Sequence, residues 1–352
     1  MLRHQPIRIM NQELRIKNIF IRALLFLFSL NSLFLIPNST PTAHAQGVSL
    51  GISPTVIQID AKPPASITTP ITIENNGDEP VTLQILLKGF TASTSQDGHV
   101  EYYPAKDPRS TPKIFEKIQI TENDHPKTSI ILAPGEKKAL GLHIGISKKE
   151  PLNDYYFSLI FLSKNDANDS EKTSSQTPAG IATNVLLSIG PKGPTTGEIE
   201  TFSAPFFVQS GPVPFTIKLK NTSDHIIVPK GEILIRNMFG QTIGRVNLLP
   251  VNILSKTTRA IPDTLQSPEA TLSAAITDYL LKNNMQTPAS LWPESFLLGP
   301  YTAQLTIALS DQGPVFRRHI YFFALPWFII ISIILCIIGS TYIVIRIRKR
   351  LR

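Results

Sequence analysis

A single cysteine, Cys336, stands in a chain of 352 residues, so disulfides and thiolate metal sites are out of reach. A domain exported without disulfides must hold together by its apolar core alone, which suits a bacterial surface domain better than a small stapled extracellular module. Signatures of chemistry are missing as well. The seven histidines, His4, His44, His99, His125, His143, His225 and His319, never fall at a local metal-ligand spacing. No stretch matches a serine nucleophile elbow, a P-loop or a zincin motif. The carboxylates are scattered over turns, where solvated acids are ordinary. The sequence reads as that of a non-enzymatic protein with no catalytic residue, cofactor or metal.

Excess positive charge is lacking too, once the ends are set aside. The formal charge is +8 and the pI near 9.5, values that would suit a polyanionic partner. Residues 1–45 carry Arg3, Arg8, Arg15, Lys17 and Arg22 against Glu13, then an apolar run from Ala23 to Ile36, then Ala43-His44-Ala45. A basic head, a short apolar stretch and a small-x-small site predict a secretory signal peptide. That run is too short for ~30 Å of hydrocarbon, which takes about 20 residues. Residues 320–345 are long enough and almost wholly apolar, and 346–352 hold Arg346, Arg348, Lys349, Arg350 and Arg352. This predicts a transmembrane helix over 320–345 with a basic cytoplasmic tail, because cations resist translocation. Cys336 then reads as a small apolar residue in lipid. Between the ends, residues 46–319 hold 24 cations and 25 acids, which leaves no basic face for nucleic acid. The expected location is the cell membrane, single-pass, with the folded part outside and the C-terminus cytoplasmic.

The interior pattern is β. Ile71 and Ile73 alternate with Thr72 and Glu74, and after Asn75-Asn76-Gly77-Asp78 come Val81, Leu83 and Ile85. Period-two patterning on both sides of an Asn-Gly signal predicts a hairpin. Leu140, Leu142, Ile144 and Ile146 alternate likewise, and 155–162 (YYFSLIFL) is apolar almost throughout, as in a strand buried between layers. The predicted fold class is all-β: two tandem immunoglobulin-like or pilus-chaperone-like β-sandwiches plus one C-terminal transmembrane helix. The first sandwich is expected over 46–192, a Pro/Gly/Thr linker over 193–197 and the second sandwich over 198–318. Phe215-Thr216-Ile217-Lys218-Leu219-Lys220-Asn221 echoes Ile71-Thr72-Ile73-Glu74-Asn75. Residues 164–178 (KNDANDSEKTSSQTP) cannot bury surface and predict a loop.

Three groups are candidates for a role. Asp97-Gly98-His99-Val100-Glu101-Tyr102-Tyr103 is the densest polar-aromatic cluster. Asp97, His99, Glu101 and Tyr103 would either project from one edge as a carbohydrate-binding surface or form a solvent-facing hairpin with Tyr102 packed inward. Residues 267–284 predict a short helical insertion with Leu272, Ile276, Tyr279 and Leu280 on one face. It either packs across an end of the second sandwich or presents a partner-binding face of Tyr279, Trp292 and Phe296. Tyr155 or Tyr156, opening a strand after the Pro134-Gly135 turn, is assigned a structural, tyrosine-corner role.

The order of these pieces resembles the WxL-interacting proteins, surface proteins of Gram-positive bacteria. The likeness rests on the leader, on Ile73-Glu74-Asn75-Asn76, on 94–102 (TSQDGHVEY), on Pro134-Gly135-Glu136, on Gly299-Pro300-Tyr301-Thr302-Ala303, and on the terminal span with its basic tail. It implies a first domain that binds peptidoglycan or another wall polymer through Asp97, His99, Glu101 and Tyr103. It implies a second domain that meets secreted or surface proteins such as WxL-domain proteins. The expected function is therefore a membrane-anchored surface scaffold or adhesion protein. The alternative is a tethered chaperone-like assembly factor that captures secreted subunits along a strand edge. An exposed apolar edge within residues 48–90 would favour the second reading, and a polar-aromatic patch at 97–103 the first.

Overall fold

The computed structural model describes residues 48–164, 179–263 and 290–351. The expected leader, all of the expected 164–178 loop but Lys164, and the helical insertion with Tyr279 lie outside the described residues. The first half of the chain forms β1 (Leu50–Ser53), β2 (Val56–Ala61), β3 (Ala65–Asn75), β4 (Val81–Ala92), β5 (Val100–Tyr102), β6 (Ile118–Glu122), β7 (His125–Pro126), β8 (Ser129–Leu132), β9 (Lys137–Ile146), β10 (Asp154–Ser163) and β11 (Gly180–Ile189). The second forms β12 (Gly197–Ser203), β13 (Phe207–Val208), β14 (Val213–Asn221), β15 (Lys230–Arg236), β16 (Thr242–Asn247), β17 (Thr258–Ala260), β18 (Ser290–Trp292), β19 (Gly299–Ala308) and β20 (Val315–Ala324), and ends in helix α1 (Trp327–Leu351).

Two sandwiches result, and their cores follow from the alternation. In the first, a sheet ordered β1-β3-β9-β6-β7 faces one ordered β2-β11-β10-β4-β5, with β8 beside β4. Ile71 and Ile73 of β3 and Leu142 and Ile144 of β9 point inward with no exposed area. They meet Phe157, Leu159 and Phe161 of the central β10, which is shielded on both edges by β4 and β11. In the second, β12-β14-β17 with β18 faces β13-β20-β19-β15-β16. There Phe215, Ile217, Ile233, Leu305 and Phe322 fill the space between the sheets.

The Asn-Gly turn does not make a hairpin. β3 pairs with β1 and β9, whereas β4 pairs with β10, β5 and β8, so 76–80 carries the chain from one sheet to the other. The cause is the Asn75 side chain, which is almost fully buried. Its amide donates to the carbonyls of Glu79, Leu132 and Ala133, and its Oδ1 accepts the Gly77 N–H at 3.0 Å. An Asx turn tied to a distant strand outweighs the local hairpin preference. Asn221 repeats the device in the second sandwich, donating to His225, Ile253 and Leu254 carbonyls and accepting the Ser223 N–H. The sequence echo between the two segments is thus one crossover used twice.

The last strand also runs further than the hydropathy suggests. Residues 320–324, expected to open a transmembrane helix, belong to β20, where Phe322 and Ala324 alternate into the core. Helix α1 starts only at Trp327, after Leu325 and Pro326, and is 25 residues long. Among the described residues no helix is long and apolar enough to cross a membrane.

Candidate functional site

Two features of the first sandwich stand out: its junction with the second, and one open strand edge. At the junction, β10 delivers Asp154 and Tyr156 against 222–227 and 252–259. The Tyr156 hydroxyl donates to Asp154 Oδ2 at 2.8 Å and accepts the Ser255 N–H at 3.2 Å, while the same carboxylate oxygen accepts the Ile226 N–H at 2.9 Å. Phe90, Leu186, Ile226 and Leu254 form a small apolar cluster beneath them. Burial, with the Asp154 carboxylate next in weight, pushes the Tyr156 hydroxyl far up, so it stays protonated and able to donate.

The 93–99 loop closes the other side of the junction. Ser95 Oγ and the His99 N–H both donate to Asp97 Oδ1, and His99 Nδ1 lies 2.8 Å from Asp97 Oδ2. These bonds, led by the Ser95 hydroxyl, pull the Asp97 carboxyl down to about 2. The Gln96 carbonyl accepts the Ala260 N–H across the junction at 2.8 Å. Arg259 reaches back under Gly98 and donates from Nη1 to the Asn252 carbonyl at 2.6 Å. A cleft of about 120 Å³ remains between the sandwiches, lined by Val56, Phe90, Gln96, Asn184, Leu254 and Arg259, among others. Among the described residues the buried Nε of Arg259 has no hydrogen-bond partner. Burial lowers the Arg259 pKa, with the Asp97 charge opposing.

The four wall-binding candidates are therefore divided. Asp97 and His99 belong to the junction loop, and only the His99 ring is broadly exposed. Glu101 is exposed on β5. The Tyr103 ring is covered by the Arg109 guanidinium, 4.3 Å from the ring centre, which is held in turn by Asp107. Tyr102 does not pack inward: it is exposed, with Lys88 Nζ 5.3 Å from its ring centre. The candidate partner face is divided too. Trp292 lies in the core of the second sandwich, in edge contact with Tyr301 and Phe322, because β18 pairs with β14 and turns it inward. Phe296 is exposed. Tyr156, one of the two tyrosines assigned a structural role, works at the junction, and nothing in its sequence neighbourhood points to Ser255 or Ile226.

The open edge is where β1 and β2 divide between the two sheets. β2 runs parallel to β11 only from Asn184 to Ile189. Before that, Gly180, Ile181 and Ala182 pair with β10 alone among the described residues. β1 lies across this gap, and its Leu50 and Ile52 are half-buried against the core, as is Ile181. Val48 and Val56, on either side, are exposed.

The chain matches no protein-family model and no curated protein. Its likenesses are to solved structures. A class 5 fimbriae chaperone, CfaA, is 14% identical, covering 79% of this chain and 100% of its own, with a TM-score of 0.33. The E. coli chaperone DraB is 11% identical over 77% of this chain and 98% of its own, with a TM-score of 0.33. The Pseudomonas aeruginosa chaperone CupB2 is 9% identical over 76% and 98%, with a TM-score of 0.32.

Titration at the junction has a definite sign. His225, almost fully buried and 3.3 Å from Thr195 Oγ1, has its pKa lowered below 6.5, chiefly by burial. It is neutral when folded and gains a proton on unfolding, so its contribution is full above 6.5 and shrinks as pH falls toward the folded value. The thermal midpoint should fall between about pH 7.5 and pH 5.5, and His225→Gln should flatten that fall. An unchanged slope in the variant would remove His225 from the account. The Asp97 contribution lies lower, present above 3.8 and lost toward 2.

Proposed function

We propose that this chain is a membrane-tethered, chaperone-like factor that holds an extended segment of a secreted protein along the open edge of its first sandwich. The observation that carries the reading is the gap at Gly180–Ala182, where a strand presents main-chain donors and acceptors beside half-exposed apolar side chains of β1. Such an edge supplies affinity through backbone hydrogen bonds and specificity through alternate pockets. Left bare, it is a liability for aggregation, which argues for an occupant. The neighbouring cleft adds the Arg259 Nε–H as a donor for a carbonyl or carboxylate on the captured chain. A wall polymer is less well served, since the groups expected to bind it are split between the junction loop with Asp97 and His99, an exposed Glu101 on β5 and the Arg-covered Tyr103 ring.

The tether in this proposal is α1. Its 25 residues rise about 37 Å, it is almost wholly apolar through Ile345, and its far end carries Arg346 and Arg348. The basic end would lie in the cytoplasm and the sandwiches outside.

A photo-cross-linking residue placed at Ile181 of the full-length protein in its membrane tests the capture reading. The expected product joins Ile181 to an extended segment of a secreted protein, and Ile52→Glu should reduce it by about ten-fold through an unpaired charge in the groove. Cross-links confined to wall glycan, or unaffected by Ile52→Glu, would overturn it.

A further inference from the structure

We propose that the loops at the α1 end of the second sandwich form an apolar lip that sits in the membrane interface and fixes how the sandwiches stand on the bilayer; this rests on the reading of α1 as a membrane anchor. Only Leu325 and Pro326 separate β20 from α1, and two residues reach ~7 Å at most. That end of the sandwich is therefore held against whatever surface α1 enters.

The pairing shows which segments share this end. Gly299 opens β19 opposite Ala324, Thr302 lies opposite Arg236 at the close of β15, and Val208 lies beside Ala324. The 237–241 turn, the 294–298 approach to β19 and the 204–208 segment thus lie at the same end as Trp327. Each exposes large apolar side chains: Phe239 at 76% and Met238 in the turn, Phe296 and Leu298 in the approach, and Phe206 at 75% with Phe207 beside it.

These side chains are held outward. Asn237 Oδ1 accepts the N–H groups of Phe239 and Gln241. The Tyr301 hydroxyl accepts the Leu298 N–H at 2.9 Å, and Leu297 between Phe296 and Leu298 is buried in the core. The Phe206 carbonyl accepts the Phe323 N–H at 2.7 Å, and the Phe207 ring stacks on Phe323. At the opposite end of the same sheet the 309–314 loop presents Ser310, Asp311 and Gln312, with Asp311 in an ion pair with Lys230. Aromatic and aliphatic side chains set rigidly beside a spanning helix, and polar ones at the far end, fit a lipid surface.

The test uses the full chain in vesicles of phosphatidylcholine and phosphatidylglycerol, with an environment-sensitive dye on one cysteine at a time. Phe239→Cys, Phe206→Cys and Asp311→Cys are made in a Cys336→Ala background, and native Cys336 is labelled in the unaltered chain. Lipids carrying a doxyl quencher near the headgroup should quench the dyes at 239 and 206 about three-fold or more over the dye at 311. Equal quenching at all three sites overturns the lip. So does shielding of 239 and 206 from aqueous iodide without lipid quenching, which means a second copy or another protein covers them. Cys336 separates the two readings: quenching of its dye by a doxyl group near the bilayer centre keeps the anchor whether or not the lip stands, and its absence removes both.

Discussion

Asn221→Ala should lower the stability of the second sandwich by about 3 kcal/mol, near the top of what a single polar substitution does. The side chain is fully buried and its amide serves three carbonyls, of His225, Ile253 and Leu254, at 2.8 to 3.0 Å. Alanine strands those acceptors away from water and frees the Ser223 N–H, which Oδ1 accepts at 2.8 Å. Asn221→Asp should do no better, since a carboxylate oxygen would then face three carbonyl oxygens. Asn75→Ala should cost less, because one of its three donor contacts is 3.4 Å long and its neighbourhood is wetter. Urea unfolding followed by the fluorescence of the buried Trp292 reports the second sandwich directly. An Asn221→Ala midpoint within about 0.5 kcal/mol of wild type would mean the crossover is held by its backbone alone.

Both asparagines were visible in the sequence, though their work was not. The alternation of 71–74, 140–146 and 301–309, and the apolar run of 155–162, announce strands because a half-buried sheet imposes period two and a central strand imposes continuity. The Asn75-Asn76-Gly77 signal is local, whereas the bonds that decide its fate reach Leu132 and Ala133, more distant in sequence than any turn rule looks. Hydropathy fails at 320–345 for a related reason. Tyr321 and Phe323 alternate with buried Phe322 and Ala324, so the apolar strand merges with the apolar helix, and only core packing sets the boundary at 325–326. Trp292 was misplaced because its burial depends on β18 joining β14, a pairing with no local signature. The junction was the least legible part. Asp97 and Gly98 read as a surface turn, and nothing near them in the chain names Arg259 as what they pack on.

Gly98→Ala should loosen that junction. Gly98 has φ of +98°, and a Cβ there would lie 2.2 Å from Arg259 Nη2 and 2.6 Å from Cζ. The backbone strain costs about 1–2 kcal/mol. The guanidinium can swing aside, but only by giving up the Asn252 carbonyl, a charge-assisted bond of about 1.5–3 kcal/mol. The total, about 2.5–5 kcal/mol, falls on the contact between the sandwiches and not on either core. Melting should therefore separate toward two transitions, and scattering should report a wider spread of angles between the sandwiches. A double-mutant cycle isolates the cause. If displaced Arg259 carries the larger share, Gly98→Ala in an Arg259→Ala background should cost only the strain of about 1–2 kcal/mol. An undiminished cost in that background would place the damage in the loop's own turn, and would leave Asp97, held by Ser95 and His99, as the part of the junction that Gly98 serves.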